Sequence, residues 1–593
     1  MLLILSVTVA FVLLLLVVFA IVRLRTARRI TWMREKALKG IRSAKKMARG
    51  MQLLPAVVLA IAGGVAVTGL SMWALRAVVG STRKPSDPID ITKLALAIAA
   101  GVGGVVGLVV AYRRQRDLET SRFIDRFGAA AAQLGAQDPA VRLAGVYAMA
   151  GVADESNGLR RQQCVDVLCG YLRMQYLPEL DKGQRTKRVE RTKRYNNSEV
   201  EIGETEDTYE PRKGDGEVRR TIVRVITSRL TKEAENGWWA CTFDFREAVF
   251  ESPSFADCLF MGNVLFDYSR FVGTATFNRS NFRGNTSFRW VTFANGVYFI
   301  GTEFNSVRFM KAEFSGPTEM KVEFRGPSDF SESRWGACKF DGSNFHGETR
   351  FDGASFVNAD MRRVSFLMPA LFRGVRFTGS TQFHTSTSRH LIDFSRSKFK
   401  GPVMFGKSEF RGRAIFDLVK FENSVYMKHS AFKDGKVTFK YVRFRGAAYF
   451  AHALFDNCRT SFDGAHFRSA AEFTYARFEG GLTSFDGVLF GDHAIFADVR
   501  FLGETVFRQV GFSGSRTDFR RVDFGSQQIL FDSPVAWGPP EPEFDWNHPL
   551  SRRDRAKIAN GEELSVLPPQ PLNVLPSEWP PIVSEGDSIE PGE

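Results

Sequence analysis

Cysteine, histidine and catalytic motifs are scarce in this 593-residue chain, and each scarcity removes a class of function. The six cysteines, Cys164, Cys169, Cys241, Cys258, Cys338 and Cys458, include no C-x-x-C pair. Six in so long a chain make no disulfide framework, so reduced thiols in a cytosolic setting are expected. Of the eight histidines, His384, His390, His429, His452, His466 and His493 are scattered through the C-terminal half without H-x-x-x-H spacing, which argues against a zinc site. No P-loop, nucleophile elbow or dinucleotide-binding glycine motif occurs. These absences predict a non-enzymatic protein with no catalytic residue, metal or cofactor. Tyrosine and tryptophan are few as well, at 12 and 9, whereas phenylalanine occurs 54 times.

Charge is missing from three apolar segments, Met1–Val22, Leu53–Leu75 and Leu94–Tyr112. Their lengths suit bilayer-spanning helices, and the lack of ionisable residues excludes an ion or proton path. Met1–Val22 has neither a basic n-region nor a small-residue cleavage site, which weighs against a signal peptide. Between the first two segments the chain is strongly basic, with Arg28, Arg29, Arg34, Lys36, Lys39, Arg42, Lys45, Lys46 and Arg49 against Glu35 alone. Arg113, Arg114 and Arg116 follow the third, while the loop near 77–93 balances its bases with Asp87 and Asp90. The positive-inside rule then predicts a multi-pass cell-membrane protein with its N-terminus outside and all residues after Tyr112 in the cytoplasm. The basic loop would set that topology, and could also meet anionic headgroups.

Residues 114–180 read as a small cytosolic helical region. One helix starts at Asp138-Pro139 and carries Val141, Leu143, Ala144, Val146, Tyr147 and Ala150 at helical spacing; a second carries Val165, Val167, Leu168, Tyr171 and Leu172. Residues 181–217 turn from basic to acidic with few apolar positions, the pattern of a mobile charged linker. Residues 218–236 contain an amphipathic helix through Val218, Ile222, Val225, Ile226 and Leu230, placed to cap whatever follows.

From Phe243 to Phe531 phenylalanine returns every five or six residues, as in Phe255, Phe260, Phe266, Phe271, Phe277, Phe282, Phe288, Phe293, Phe299 and Phe304. Some steps lengthen to seven: Phe432 to Phe439, Phe455 to Phe462 and Phe478 to Phe485. This is neither a helical period nor sustained alternation. Two residues before each ring stands a small or β-branched residue, such as Ala275, Ser280, Thr286, Val291, Val403, Ala414 or Ala471. On a strand, positions i−2 and i share a face. Each unit therefore sends one small and one large side chain inward and then turns a corner. Glycine often sits two residues after the ring, as at Gly273, Gly284, Gly342, Gly379, Gly446 and Gly464, where a corner favours it. Four units make a coil of about 22 residues. The expected fold is mainly β, a right-handed quadrilateral β-helix over 237–532 of about thirteen coils. It is preceded by a three-helix transmembrane anchor at 1–113 and followed by a Pro-rich disordered tail at 533–593 with a short cap around Trp537.

The repeat resembles the pentapeptide-repeat family in its Phe-centred form, as in Ala471-Glu-Phe-Thr-Tyr-Ala-Arg-Phe478 and Ala494-Ile-Phe-Ala-Asp-Val-Arg-Phe501. The extra residue on alternate faces departs from the strict five-residue unit. The stretch from Val141 to Ala150 resembles the helical segment that precedes the repeats in bacterial membrane-anchored members. The resemblance implies a solenoid and an address, without implying a role.

One outward pattern is chemical. Arg376, Lys398, Lys420 and Arg443 each precede a ring and are spaced 22, 22 and 23 residues apart, one per coil. Stacked like charges are unfavourable, so these four form a candidate stripe for anionic lipid, nucleic-acid phosphate or an acidic protein. The resemblance also raises mimicry of DNA, a role of some pentapeptide-repeat proteins that needs an acidic rod; it is disfavoured here because the repeat region is about neutral in its first half and basic in its second. The expected partners are the bilayer, through residues 1–113, and an unidentified cytosolic protein bound to the scaffold; the alternatives are anionic lipid or nucleic acid at the stripe, and further copies of the chain. Asp341, Asp352, Asp463 and Asp486, each one residue after a ring, are expected to serve as turn and cap acceptors.

Overall fold

The computed structural model describes Gly69, Trp73 and residues 88–181, 188–195, 201–209, 212–547 and 567–584. The chain divides into two compact units, Met1–Gly128 and Ala129–Glu593. Helix α1, Pro88–Leu134, contains the third apolar segment. Among the described residues no helix is long and apolar enough to cross a membrane. Apart from Gly69 and Trp73, the first two apolar segments lie outside the described residues, as do many side chains of the third. The three-span expectation therefore gains no support from the fold.

Helices α2, Pro139–Glu155, and α3, Leu159–Arg173, form the expected pair. Asp138 caps α2 by accepting the Ala140 amide at 2.8 Å. The buried face of α2 runs through Arg142, Val146, Met149, Ala150 and Ala153, while Val141 and Tyr147 are exposed. Arg142 is fully buried and donates to the Lys213 carbonyl at 2.5 Å, a role hydrophobic periodicity does not reveal. A short α4, Pro178–Asp181, follows. The segment read as a mobile linker instead forms an antiparallel pair, β1, Arg188–Tyr195, with β2, Glu201–Tyr209. Its register sets Arg191 opposite Glu206 and Lys193 opposite Glu204. The basic half of the segment is thus joined to its acidic half by a backbone ladder.

The amphipathic helix is present as α5, Asp215–Ser228, which starts three residues before the expected region 218–236 and ends well inside it, with Val218, Ile222, Val225 and Ile226 buried. It does not cap the rod alone. Gln162 of α3 bonds the Thr242 carbonyl at 2.7 Å and receives its amide at 2.9 Å. Arg173 pairs with Asp244 at 2.6 Å, and Asp154 holds both Arg229 and the Trp238 indole. The helical region and the first coil are thus one packed body rather than successive domains. At its centre Tyr171 donates to Asp215 at 2.5 Å, and Arg219 bonds Asp215 and the carbonyls of Leu172 and Met174.

The rod is built from parallel strands of two to seven residues in two long sheets, each covering two adjacent faces. Four columns of rings fill its interior, here numbered faces 1 to 4 from Phe245, Phe250, Phe255 and Phe260. On face 1, thirteen stacked steps run unbroken from Phe245 to Phe531. Ring planes within a column are nearly parallel, for example 4.5 Å and 3° for Phe377 and Phe399. Rings of different columns meet edge-on, as do Phe462 and Phe473 at 5.7 Å and 89°. Both geometries suit the aromatic quadrupole.

The corners are of two physical kinds. On faces 1 and 3 the residue two after the ring has positive φ, and most such residues are not glycine: Trp290, Arg396, Leu418, Tyr441, His429, His452 and Tyr475 are examples. On faces 2 and 4 the glycine expectation holds for a different reason. At Gly284 an added Cβ would lie 2.2 Å from the Gly262 carbonyl oxygen of the coil before it. The three consecutive seven-residue steps from Phe432, Phe455 and Phe478 fall on one corner, where Asp434, Asn457 and Gly480 stack with positive φ. Insertion is laid upon insertion, so the ring register survives. The reverse occurs at Arg334–Lys339 and Ser355–Asp360, six-residue strands running straight through a corner.

The tail also differs from expectation. Residues 533–547 and 567–584 cover the last coil: Val574 and Leu575 pair with Ile529 and Leu530, and Asn573 bonds the Phe524 carbonyl at 3.0 Å. Trp579 sits against Phe531, Trp537, Phe544 and Trp546. A solenoid end exposes its core, and proline-rich chain can cover it because few amide donors need partners.

Phe439→Ala should cost about 3–5 kcal/mol, measured by denaturant unfolding. Ser388, by contrast, occupies a ring position on face 4 between Phe366 and Phe410, and its buried Oγ has no partner among the described residues. Ser388→Ala should leave stability unchanged or raise it by about 1 kcal/mol.

Candidate functional site

The strand ladder places the four predicted cations together. Arg376 pairs with Lys398, Lys398 with Lys420, and Lys420 with Arg443, all pointing outward from face 2 while Phe377, Phe399, Phe421 and Phe444 point inward. The column continues through His466 to Leu489. Two residues further along the same strands stands a second column, Lys400, Glu422, Arg445 and Arg468, which spacing alone did not single out. Lys398 pairs with Glu422 at 2.7 Å. Among the described residues Arg376, Lys420 and Arg443 have no acidic partner within ion-pair distance. Six cations besides Lys398 therefore share this face with one acid already engaged.

Two groups register the resulting field. The hydrogen bond from Lys398 holds the Glu422 carboxyl below its usual range, with Arg445 and Lys400 adding to the effect. Burial lowers the His466 pKa, and Arg468 and Arg443 lower it further by opposing a positive charge on the ring.

Elsewhere on the rod like charges also meet in register, as at Lys436 and Arg459, but several aspartates pair with cations one coil away. Asp352 accepts from the Arg373 amide and pairs with its guanidinium at 2.8 Å one coil on. Asp341 pairs with Arg363, and Asp463 with Lys440 at 2.7 Å. The aspartates expected to serve local turns thus mainly bridge neighbouring coils. Burial raises the Asp486 pKa, and the like charge of Asp463 raises it further.

A ladder of rings runs along the surface on face 3 and the corner beyond it. Tyr426 stacks on Tyr449 at 5.0 Å, His429 on His452 at 4.7 Å, and His452 on Tyr475 at 4.9 Å. The histidines had looked scattered, but Tyr426 and Tyr449, and His429, His452 and Tyr475, are each spaced 23 residues apart, one coil in this part of the rod. That spacing was the available signal. Among the described residues no group of three or more His, Cys, Asp or Glu side chains is arranged to hold a metal ion.

All six cysteines are buried and unpaired. Burial pushes the Cys164 thiol up to about 11 and that of Cys258 up to about 12, and also raises Cys169, Cys241, Cys338 and Cys458.

A family model described as pentapeptide repeats in nine copies matches residues 277–322, 340–387 and 462–511. The rod is thus a pentapeptide-repeat solenoid of about 22 residues per coil. The unmatched interval between 387 and 462 holds Ser388, two of the seven-residue steps and most of the basic face. No curated protein and no solved structure matches the chain significantly.

Because the thiols are buried and protonated at neutral pH, native protein at pH 7.5 should take up no maleimide, and unfolded protein should take up one at each of the six cysteines. Fast labelling of the native chain, read by intact mass, would contradict that arrangement.

Proposed function

We propose that this protein is a non-enzymatic scaffold, held at the cell membrane by its N-terminal apolar segments, whose rod offers a cytoplasmic surface to a partner protein. The continuous ring core carries this reading. Outward residues recur at a constant one-coil interval on a support that does not depend on them, so a binding face can vary freely around it. Among the described residues of the rod, polar groups form one-per-coil ladders rather than converging as a catalytic site requires. The tether rests on the uncharged segments Met1–Val22, Leu53–Leu75 and Leu94–Tyr112 and on the basic residues flanking them.

A second reading is favoured by the in-register cations of face 2: the rod binds an anionic ligand, lipid or nucleic acid, through Arg376, Lys398, Lys420 and Arg443. Like charges on neighbouring strands oppose one another by a few tenths of a kcal/mol to about 1 kcal/mol per pair. That Arg376, Lys420 and Arg443 have no acidic partner among the described residues is intelligible if an external anion neutralises them.

Crosslinking and affinity capture of the full chain from its own membranes separates the two. The scaffold reading expects a defined protein, bound one to one and resistant to 0.5 M salt, that is lost when residues 237–532 are deleted and kept when the four cations are reversed to Glu. Recovery of lipid or nucleic acid alone, lost in salt and in the charge-reversed chain, would replace it with the second reading.

A further inference from the structure

We infer that face 2 between Arg376 and Arg468 is a docking surface for an anionic lipid bilayer, an inference that rests on the second reading above and names its ligand. The charge argument alone would admit any polyanion. What distinguishes a lipid surface is the margin of the basic strip. Leu418 and Tyr441 are corner residues of positive φ immediately ahead of Lys420 and Arg443, and they are 46% and 62% exposed. Around the opposite corner Met404 is exposed, and along the strip's own column the cations give way to exposed Leu489.

Corner residues project furthest from a β-solenoid, so Leu418 and Tyr441 stand beside the cations rather than beneath them. Aliphatic side chains find no partner on a phosphodiester backbone, but they enter the headgroup and acyl boundary readily. Tyrosine favours the same depth, with its ring in apolar surroundings and its hydroxyl at the polar level. Stacking of bases would call for a series of exposed aromatic platforms; of the strip's immediate margin only Tyr441 provides one. The stacked Tyr426 and Tyr449 are half-buried on the next face.

The scale of the strip is compatible with a planar ligand. Four coil steps from Arg376 to His466 span about 19 Å, and the two columns on each strand lie about 7 Å apart. Parallel strands hold both columns in one plane, so the cations meet a flat anionic surface together. Each adds to its attraction without reorganisation of the rod.

The test uses the full chain in nanodiscs of neutral phosphatidylcholine, or of phosphatidylcholine with phosphatidylglycerol, and a short pulse of amine acetylation read by mass spectrometry. Lys400 and Lys420 should be labelled several-fold more slowly in anionic than in neutral discs, with recovery in 0.5 M salt. Exposed Lys407, at a corner on the far side of the same coil, should be unaffected and controls for reagent delivery to the two kinds of disc. In the K420E/R443E chain the protection of Lys400 should be lost. In L418S/Y441S, which removes the apolar margin without changing charge, it should fall, whereas any protection by added oligonucleotide should not. Equal labelling in both discs, with protection by oligonucleotide in neutral discs, overturns the lipid assignment and keeps the polyanion reading. No protection by either overturns both and leaves the scaffold reading standing.

Discussion

Parallel strands stack about 4.8 Å apart, and a phenylalanine placed on every rung at that spacing lies over the ring of the preceding coil. Almost everything else in this rod depends on that coincidence. An offset stacked pair contributes about 0.5–1.5 kcal/mol beyond the area it buries, and each ring also meets its neighbours in other columns edge-on. A phenylalanine column therefore specifies register as well as burial. The ring sequence tolerates Trp335 on face 2 and Met320, Met361 and Met427 on face 3, large apolar groups that fill the same layer. Ser388 is the departure in kind, and it stands where the family pattern is interrupted.

Once the interior is regular, irregularity must go to the corners. Strain there is distributed rather than avoided, since many corner residues with positive φ carry full side chains. The cost of about 1–2 kcal/mol for each non-glycine residue is offset by the ladder hydrogen bonds of the coil it closes. The same geometry makes those corners the most prominent points of the surface, which is why Leu418, Tyr441, His452 and Tyr475 are displayed. Both ends need separate solutions. Helices α2, α3 and α5 close the first coil through charged and aromatic contacts, and a proline-rich strap with Trp579 closes the last.

Much of this was legible in the sequence because a period repeated a dozen times is hard to mistake. The ring and small-residue columns, the coil length and the register of Arg376, Lys398, Lys420 and Arg443 all follow from spacing. Lys400 and Arg445 are legible as further charge on the same coils, but their alignment with Arg468 in a second column is not, because Glu422 interrupts it. The roles of Asp352 and Asp463 were misjudged because a local turn and a bridge between coils look alike when only one coil is read. Arg142 was invisible to hydrophobic periodicity, and composition made both the charged segment 181–217 and the proline-rich tail look unstructured. Only pairing with distant chain gives those segments order.

The sequence by itself determined the solenoid, its coil length and the inward or outward sense of each repeat position, because those depend on a local alternation and a fixed period. Tertiary structure decided which corners are strained, where insertions accumulate, how the ends are sealed and which surface charges remain uncompensated. Those properties depend on which coil lies above which, and that is settled by contacts some 22 residues apart rather than by any neighbour along the chain.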